Sequence, residues 1–224
     1  MTSPQRVVLM AEMHGRDLLR RHAALGLLVA LPLSFYLASG EVGAGGVGMA
    51  FAVAGAALFS ELSSAEADQR LVLGGYRPIE LLLGRLLFLG PLGLVIAGGF
   101  SALMVAASHP ANGWLVLLGV AAVGVVSVPF GLAVGAGVSR ELEGTLVLIG
   151  VVGVQLAVAP DSAVAKVLPF YGPRQLIEAG MAGHGPIAGP LLLSAAYAIA
   201  LLALARAFVG PRLGVHNLAP VAAP

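Results

Sequence analysis

Residues Ser63–Arg85 read SSAEADQRLVLGGYRPIELLLGR, a long polar interruption that holds acids, arginines, a Gly-Gly pair and a proline. On its N-terminal side, Gly43–Leu62 is apolar and glycine-rich, with one acid, Glu61, near its end. On its C-terminal side, Leu81–Ala107 is apolar except for Arg85 and Ser101. A loop of this composition between two membrane-length stretches must sit in water. Which side of the membrane it faces decides what it can touch.

The wider composition supports that frame. The chain has 224 residues, 58% hydrophobic and 10% charged, against roughly 25% charged in a soluble domain. Repeated apolar stretches of about 20 residues match the thickness of a hydrocarbon core. In lipid every backbone polar group must find an internal partner, so these stretches are expected to be helices. The alternating apolar and polar strands of a membrane barrel are not seen in the sequence. The expected fold is an all-α polytopic membrane protein. The absence of cysteine excludes disulfides and thiolate metal sites.

Six spans are expected at about 23–39, 43–62, 81–107, 114–138, 146–160 and 187–209, together forming one transmembrane domain over 23–209. The fifth is short and is expected to borrow residues from a flank. Ahead of them, residues 1–22 carry Arg6, Arg16, Arg20 and Arg21, with Glu12–Arg16 and Asp17–Arg21 at i,i+4 spacing. Val7, Val8, Ala11, Leu18 and Leu19 fall to one side. That pattern fits an amphipathic helix in the membrane interface, with a plain basic flank to the first span as the alternative. Residues 210–224 form an expected cytoplasmic tail without order.

The arginines and lysine divide unevenly between the two sides. One side carries the four N-terminal arginines, Arg70, Arg77, Arg140, Arg206 and Arg212; the other carries Lys166 and Arg174. The positive-inside rule then puts both termini and the 63–80 loop in the cytoplasm of a plasma-membrane protein. Arg85, one turn inside the third span, is expected to snorkel back to that side. On the opposite face, residues 161–186 contain Pro169, Pro173 and Pro186 around short stretches with helical potential, notably Arg174–Ala182. Phe170 and Tyr171 suit an interface. One or two short re-entrant helices before the last span are expected, against a solvated loop with a single surface helix. Inside the fourth span, Gly131-x-x-x-Gly135 permits close helix approach.

Several chemistries are excluded by what is missing. A P-loop needs GxxxxGK[ST], and the single lysine, Lys166, stands between Ala165 and Val167. ATP hydrolysis by that route would have to come from another chain. The five histidines are scattered and no HExxH occurs, so no metal site is expected. Gly99-Phe100-Ser101-Ala102 lacks both the glycine and the base of an intramembrane serine protease. Gln155 is the one strongly polar side chain deep in a span, and no carboxylate relay for an ion-coupled carrier is evident.

These absences return attention to the 63–85 loop. The acidic turn, Arg70-Leu71, and then Gly75-Tyr76-Arg77-Pro78-x-Glu80-Leu81-Leu82-Leu83-Gly84-Arg85 resemble the first cytoplasmic loop of the type-2 ATP-binding-cassette exporter permeases. Leu168-Pro169-Phe170-Tyr171-Gly172-Pro173-Arg174-Gln175-Leu176 is similar to the external segment before their last span. The likeness in topology extends over nearly the whole chain. In one respect the chain departs from the family: the Gly-Thr-Leu run often found in the first loop stands here in the second, at Gly144-Thr145-Leu146.

The resemblance implies a permease subunit that moves a hydrophobic or amphipathic substrate using ATP hydrolysed by a separate ATPase. It implies an ATPase-coupling loop of Glu66, Asp68, Arg70, Tyr76, Arg77, Pro78 and Glu80. A second cytoplasmic loop would hold Arg140, Glu141 and Glu143, and the external segment Pro169, Tyr171, Pro173, Arg174 and Glu178. Cofactors are expected only on the partner, as ATP and Mg, with a second permease copy or relative and membrane lipid as further partners. No nucleic-acid partner is expected. A haem-exporter-B-type permease, a membrane-embedded enzyme and a non-transporting scaffold are the rival readings.

Overall fold

The computed structural model describes residues 3–20, 22–159 and 162–213. Among these every regular element is an α-helix: α1 (Ser3–Arg20), α2 (His22–Ser39), α3 (Val42–Ser63), α4 (Ala65–Leu73), α5 (Pro78–Ser108), α6 (Gly113–Gly137), α7 (Glu141–Ala157), α8 (Ala163–Lys166), α9 (Tyr171–Ala182) and α10 (Ala188–Arg212). Four of them, α3, α5, α6 and α10, are long and apolar enough to cross a membrane. A fifth candidate arises if α1 and α2, bent by 71° at their junction, form one broken span. The molecule is thus compatible with an integral membrane protein. The tail beyond residue 213 and Arg21, the expected partner of Asp17, lie outside the described residues.

Local chemistry sets the helix ends. Pro78 opens α5 at its first position, where a missing N–H costs nothing. His109 closes α5 in the left-handed region at φ 45°, and Pro110 forbids continuation. The Asn112 side chain caps α6 by accepting from the Leu115 amide at 3.3 Å. The fifth apolar segment starts earlier than the sequence reading placed it. Glu141 and Glu143 form the first turn of α7, where carboxylates complement the helix dipole. The second connecting loop is therefore only residues 138–140, with Arg140 extended at the N-cap.

α3 and α6 form the centre of the bundle. In α6, 78% of the most apolar window is buried, against 22% in α10, whose Leu192 and Ile199 point outward. Lipid supplies no hydrophobic drive between helices, so association depends on small residues that admit close packing. A Cβ on Gly131 would overlap the Ala54 carbonyl of α3, and one on Gly135 would lie 2.8 Å from the Glu61 Cβ.

α1 packs on the start of α5. Met10 and Gly15 are buried, Gly15 lying against Phe88 and Met10 against Gly84, while Val8 and Leu19 are 58% and 62% exposed. The contact with α5 runs through Met10, Gly15 and the half-buried His14, while Val8 and Leu19, on the apolar side read from the sequence, stand free of the bundle.

Candidate functional site

α4 is a nine-residue helix across one end of the bundle. Gly74 and Gly75 end it: their amides donate to the Arg70 and Val72 carbonyls, and Gly75 adopts φ 89°, which favours glycine. The chain then turns through Tyr76 and Arg77 into α5, where the Glu80 carboxylate accepts from the Arg77 amide at 2.9 Å. α1 secures this turn. Ser3 Oγ donates to Glu80 at 2.7 Å, and Arg6 donates to the Gly75 carbonyl at 2.7 Å. The Arg6 guanidinium also lies 5.1 Å from the centre of the Tyr76 ring and 3.7 Å from Glu80.

Beneath α4 lies a buried charge cluster. Arg85 is fully buried rather than snorkelling to water. Its Nη2 donates to Asp68 and to Ser64 Oγ, and its Nη1 lies 2.8 Å from Glu61 Oε2 as an ion pair without hydrogen-bond alignment. Glu61 in turn lies 3.6 Å from Arg212 of α10, whose Nη1 donates to the Gly135 carbonyl of α6 at 2.6 Å. Two carboxylates and two guanidinium groups therefore join α3, α4, α5 and α10, with a hydrogen bond to α6. Snorkelling fails because Glu61 and Asp68 already offer counter-charges below the surface. Pairing offsets part of the cost of burying these ions, while Arg85 Nε and Nη1 and Glu61 Oε2 make no hydrogen bond.

The expected coupling residues consequently divide into two sets. Asp68 and Glu80 are each 3% exposed and are committed to internal partners, which corrects their placement on a partner-facing surface. Glu66, Arg70 and Arg77 are exposed, with Gln69 and Leu73 beside them; Tyr76 and Pro78 are half-buried. Leu73 is 74% exposed, which gives α4 an outer face of mixed charge around one apolar side chain. Arg140, Glu141 and Glu143 are also exposed. Glu141 and Ser63 line one groove, so the start of α7 and the approach to α4 share this end of the bundle.

His14 faces the cluster from α1. Burial and then the positive charge of Arg85 hold its pKa down at about 4, while Asp17 acts weakly the other way. An unfolded chain would protonate it near 6.5. As pH falls from 6.5 to about 4, the unfolded state therefore binds the proton first and stability drops. His14→Leu should remove this part of the pH dependence, which is read as thermal unfolding across that window in detergent. Identical slopes for variant and wild type would contradict the assignment.

The opposite end of the bundle carries α8 and α9. Pro169 and Pro173 are buried, and Phe170 meets Phe130 edge-on at 5.8 Å. Leu176, Ile177 and Gly180 are buried, Gly180 against Val116 of α6. α9 thus lies along half of α6 and is not a solvated surface helix. Tyr171 accepts from Gln175 at 2.9 Å. Arg174 pairs with Glu178 at 2.8 Å and donates to the Gln155 and Val158 carbonyls at the end of α7.

Among the described residues, no group of three or more His, Cys, Asp or Glu side chains could hold a metal ion. No protein-family model matches the chain, and no curated protein matches it.

Proposed function

We propose that this chain is the membrane permease subunit of a type-2 ATP-binding-cassette exporter, with α4 as the helix on which a separate ATPase acts. In this reading α2, α3, α5, α6, α7 and α10 are the six spans, and α1 lies in the cytoplasmic interface. α8 and α9 re-enter from the outside, and both termini are cytoplasmic. Two such chains, or this one and a relative, would enclose the path of a hydrophobic or amphipathic substrate in the plasma membrane.

The observation that carries the proposal is the tie from Asp68 to the fully buried Arg85. It gives a short surface helix, otherwise poorly anchored, a charged hold on the membrane-length helix α5. Through Glu61 and Arg212 the same cluster reaches α3 and α10. A push on α4 would then move several helices together, which is what an external motor requires. The outer face of Glu66, Gln69, Arg70 and Leu73 supplies mixed charges for orientation and an apolar anchor for affinity.

The chain has no cysteine, so a single introduced thiol reports unambiguously. Leu73→Cys should react with a membrane-impermeant maleimide only in inside-out vesicles, and His184→Cys only in intact cells. A photo-crosslinker at position 73 should capture a soluble chain bearing GxxxxGK[ST]. Labelling of Leu73→Cys in intact cells, or crosslinks to lipid alone, would overturn the proposal.

A further inference from the structure

At the α9 end, an open cleft of about 820 Å³ runs between α2, α3, α5, α7 and α9. Gln155 forms part of its wall. That side chain is 1% exposed, and neither Nε2 nor Oε1 has a hydrogen-bond partner. A buried amide that no protein group partners is disfavoured unless a water or a ligand serves it. The neighbouring void, also lined by Gln155, measures about 10 Å³, which is room for about one water. A primary amide offers two N–H donors and two lone pairs, so one water leaves part of it unserved.

The other polar groups of the cleft are largely spoken for. Tyr36 and Ser108 share a hydrogen bond of 2.8 Å, and Arg174 is matched by Glu178 at 2.8 Å. Glu41 is exposed on the same cleft and adds a negative charge beyond that pair. The rest of the wall is mainly apolar, with Val42 and Ile177 among it.

We propose that this cleft is a ligand site for a small amphipathic molecule whose head carries a donor and an acceptor side by side, a carboxamide, together with a cationic amine. Gln155 turns its enclosed amide into the cleft on binding, and the head pairs reciprocally with it, donating to Oε1 and accepting from Nε2. The amine faces Glu41, and the apolar body lies on Leu156 and Met181. Anionic heads are disfavoured by Glu41, the charge left over beyond the Arg174–Glu178 pair. The site is complete within one chain and does not depend on the transport reading.

The test uses the full chain in lipid nanodiscs and saturation-transfer NMR with three probes: benzamide, 4-(aminomethyl)benzamide and benzoate. Both amides should show transfer above empty nanodiscs, and benzoate none. The aminomethyl compound should bind about fivefold more tightly, the effect of one exposed ion pair. Gln155→Met should abolish transfer to both amides. Glu41→Gln should bring the aminomethyl compound down to benzamide without affecting benzamide itself. If Gln155→Met does not fold, the Glu41→Gln comparison decides alone. No transfer from any probe, or transfer indifferent to both substitutions, would overturn the site and leave Gln155 as a hydrated structural residue.

Discussion

Arg85→Met is expected to destabilise the protein by about 3–5 kcal/mol, the cost of stranding a buried counter-charge. In a chain of this size that corresponds to a fall of roughly 10 °C in Tm. Asp68 would lose its ion-pair partner, while Glu61 would keep Arg212 at 3.6 Å. Asp68→Asn combined with Arg85→Met should therefore recover most of the loss, since a buried pair replaced on both sides is often close to neutral. That double variant also separates stability from coupling. If α4 drives α5 through this pair, the double variant should insert and fold, yet lose ATP hydrolysis stimulated by substrate in the assembled complex. Equal stability of Arg85→Met and wild type would mean that the cluster is solvated.

Gly131→Ala should be at least as damaging. The added Cβ would overlap the Ala54 carbonyl, which is backbone and cannot rotate away. Overpacking typically costs about 1–3 kcal/mol where side chains can adjust; here α3 and α6 must separate at the centre of the bundle. Gly90 and Gly150 have open space around a Cβ. Alanine there should be neutral or stabilise by about 0.5–1 kcal/mol through helix propensity. Thermal unfolding of the three variants in the same detergent gives the comparison. A well-tolerated Gly131→Ala would show that the α3–α6 seam is loose.

What could be read from the sequence followed physical period and length. Apolar stretches of membrane length placed each long helix to within a few residues, because lipid leaves the backbone no alternative to internal hydrogen bonds. The Gly74-Gly75 break falls at the end of α4 for an equally local reason, while α5 starts at Pro78, ahead of the span expected from residue 81. The charge cluster was hidden because its members lie 17 and 24 residues from Arg85 for Asp68 and Glu61, and farther for Arg212. Pairing across helices has no fixed spacing. One signal was available: Glu61, Asp68 and Arg85 sit near span ends on adjoining elements, two acids around one base. Gln155 did stand out, as the lone strongly polar residue deep in a span, although its orphaned amide needed the cleft to give it meaning. The contact of α1 with α5 was not legible, because Gly15 packs through its absence of a side chain, which hydrophobicity does not register.

The proposed docking role of α4 is tested most directly by isolating the tagged chain from its native membranes in mild detergent, as wild type and as the Glu66→Lys, Arg70→Glu double variant. Both positions are exposed and lie outside the buried cluster, so the variant should fold normally. The wild type should bring down, in stoichiometric amount, a soluble chain carrying GxxxxGK[ST], and the variant should lose it. Wild-type chain isolated alone under conditions that preserve known complexes, or an ATPase retained equally by both, would contradict the account.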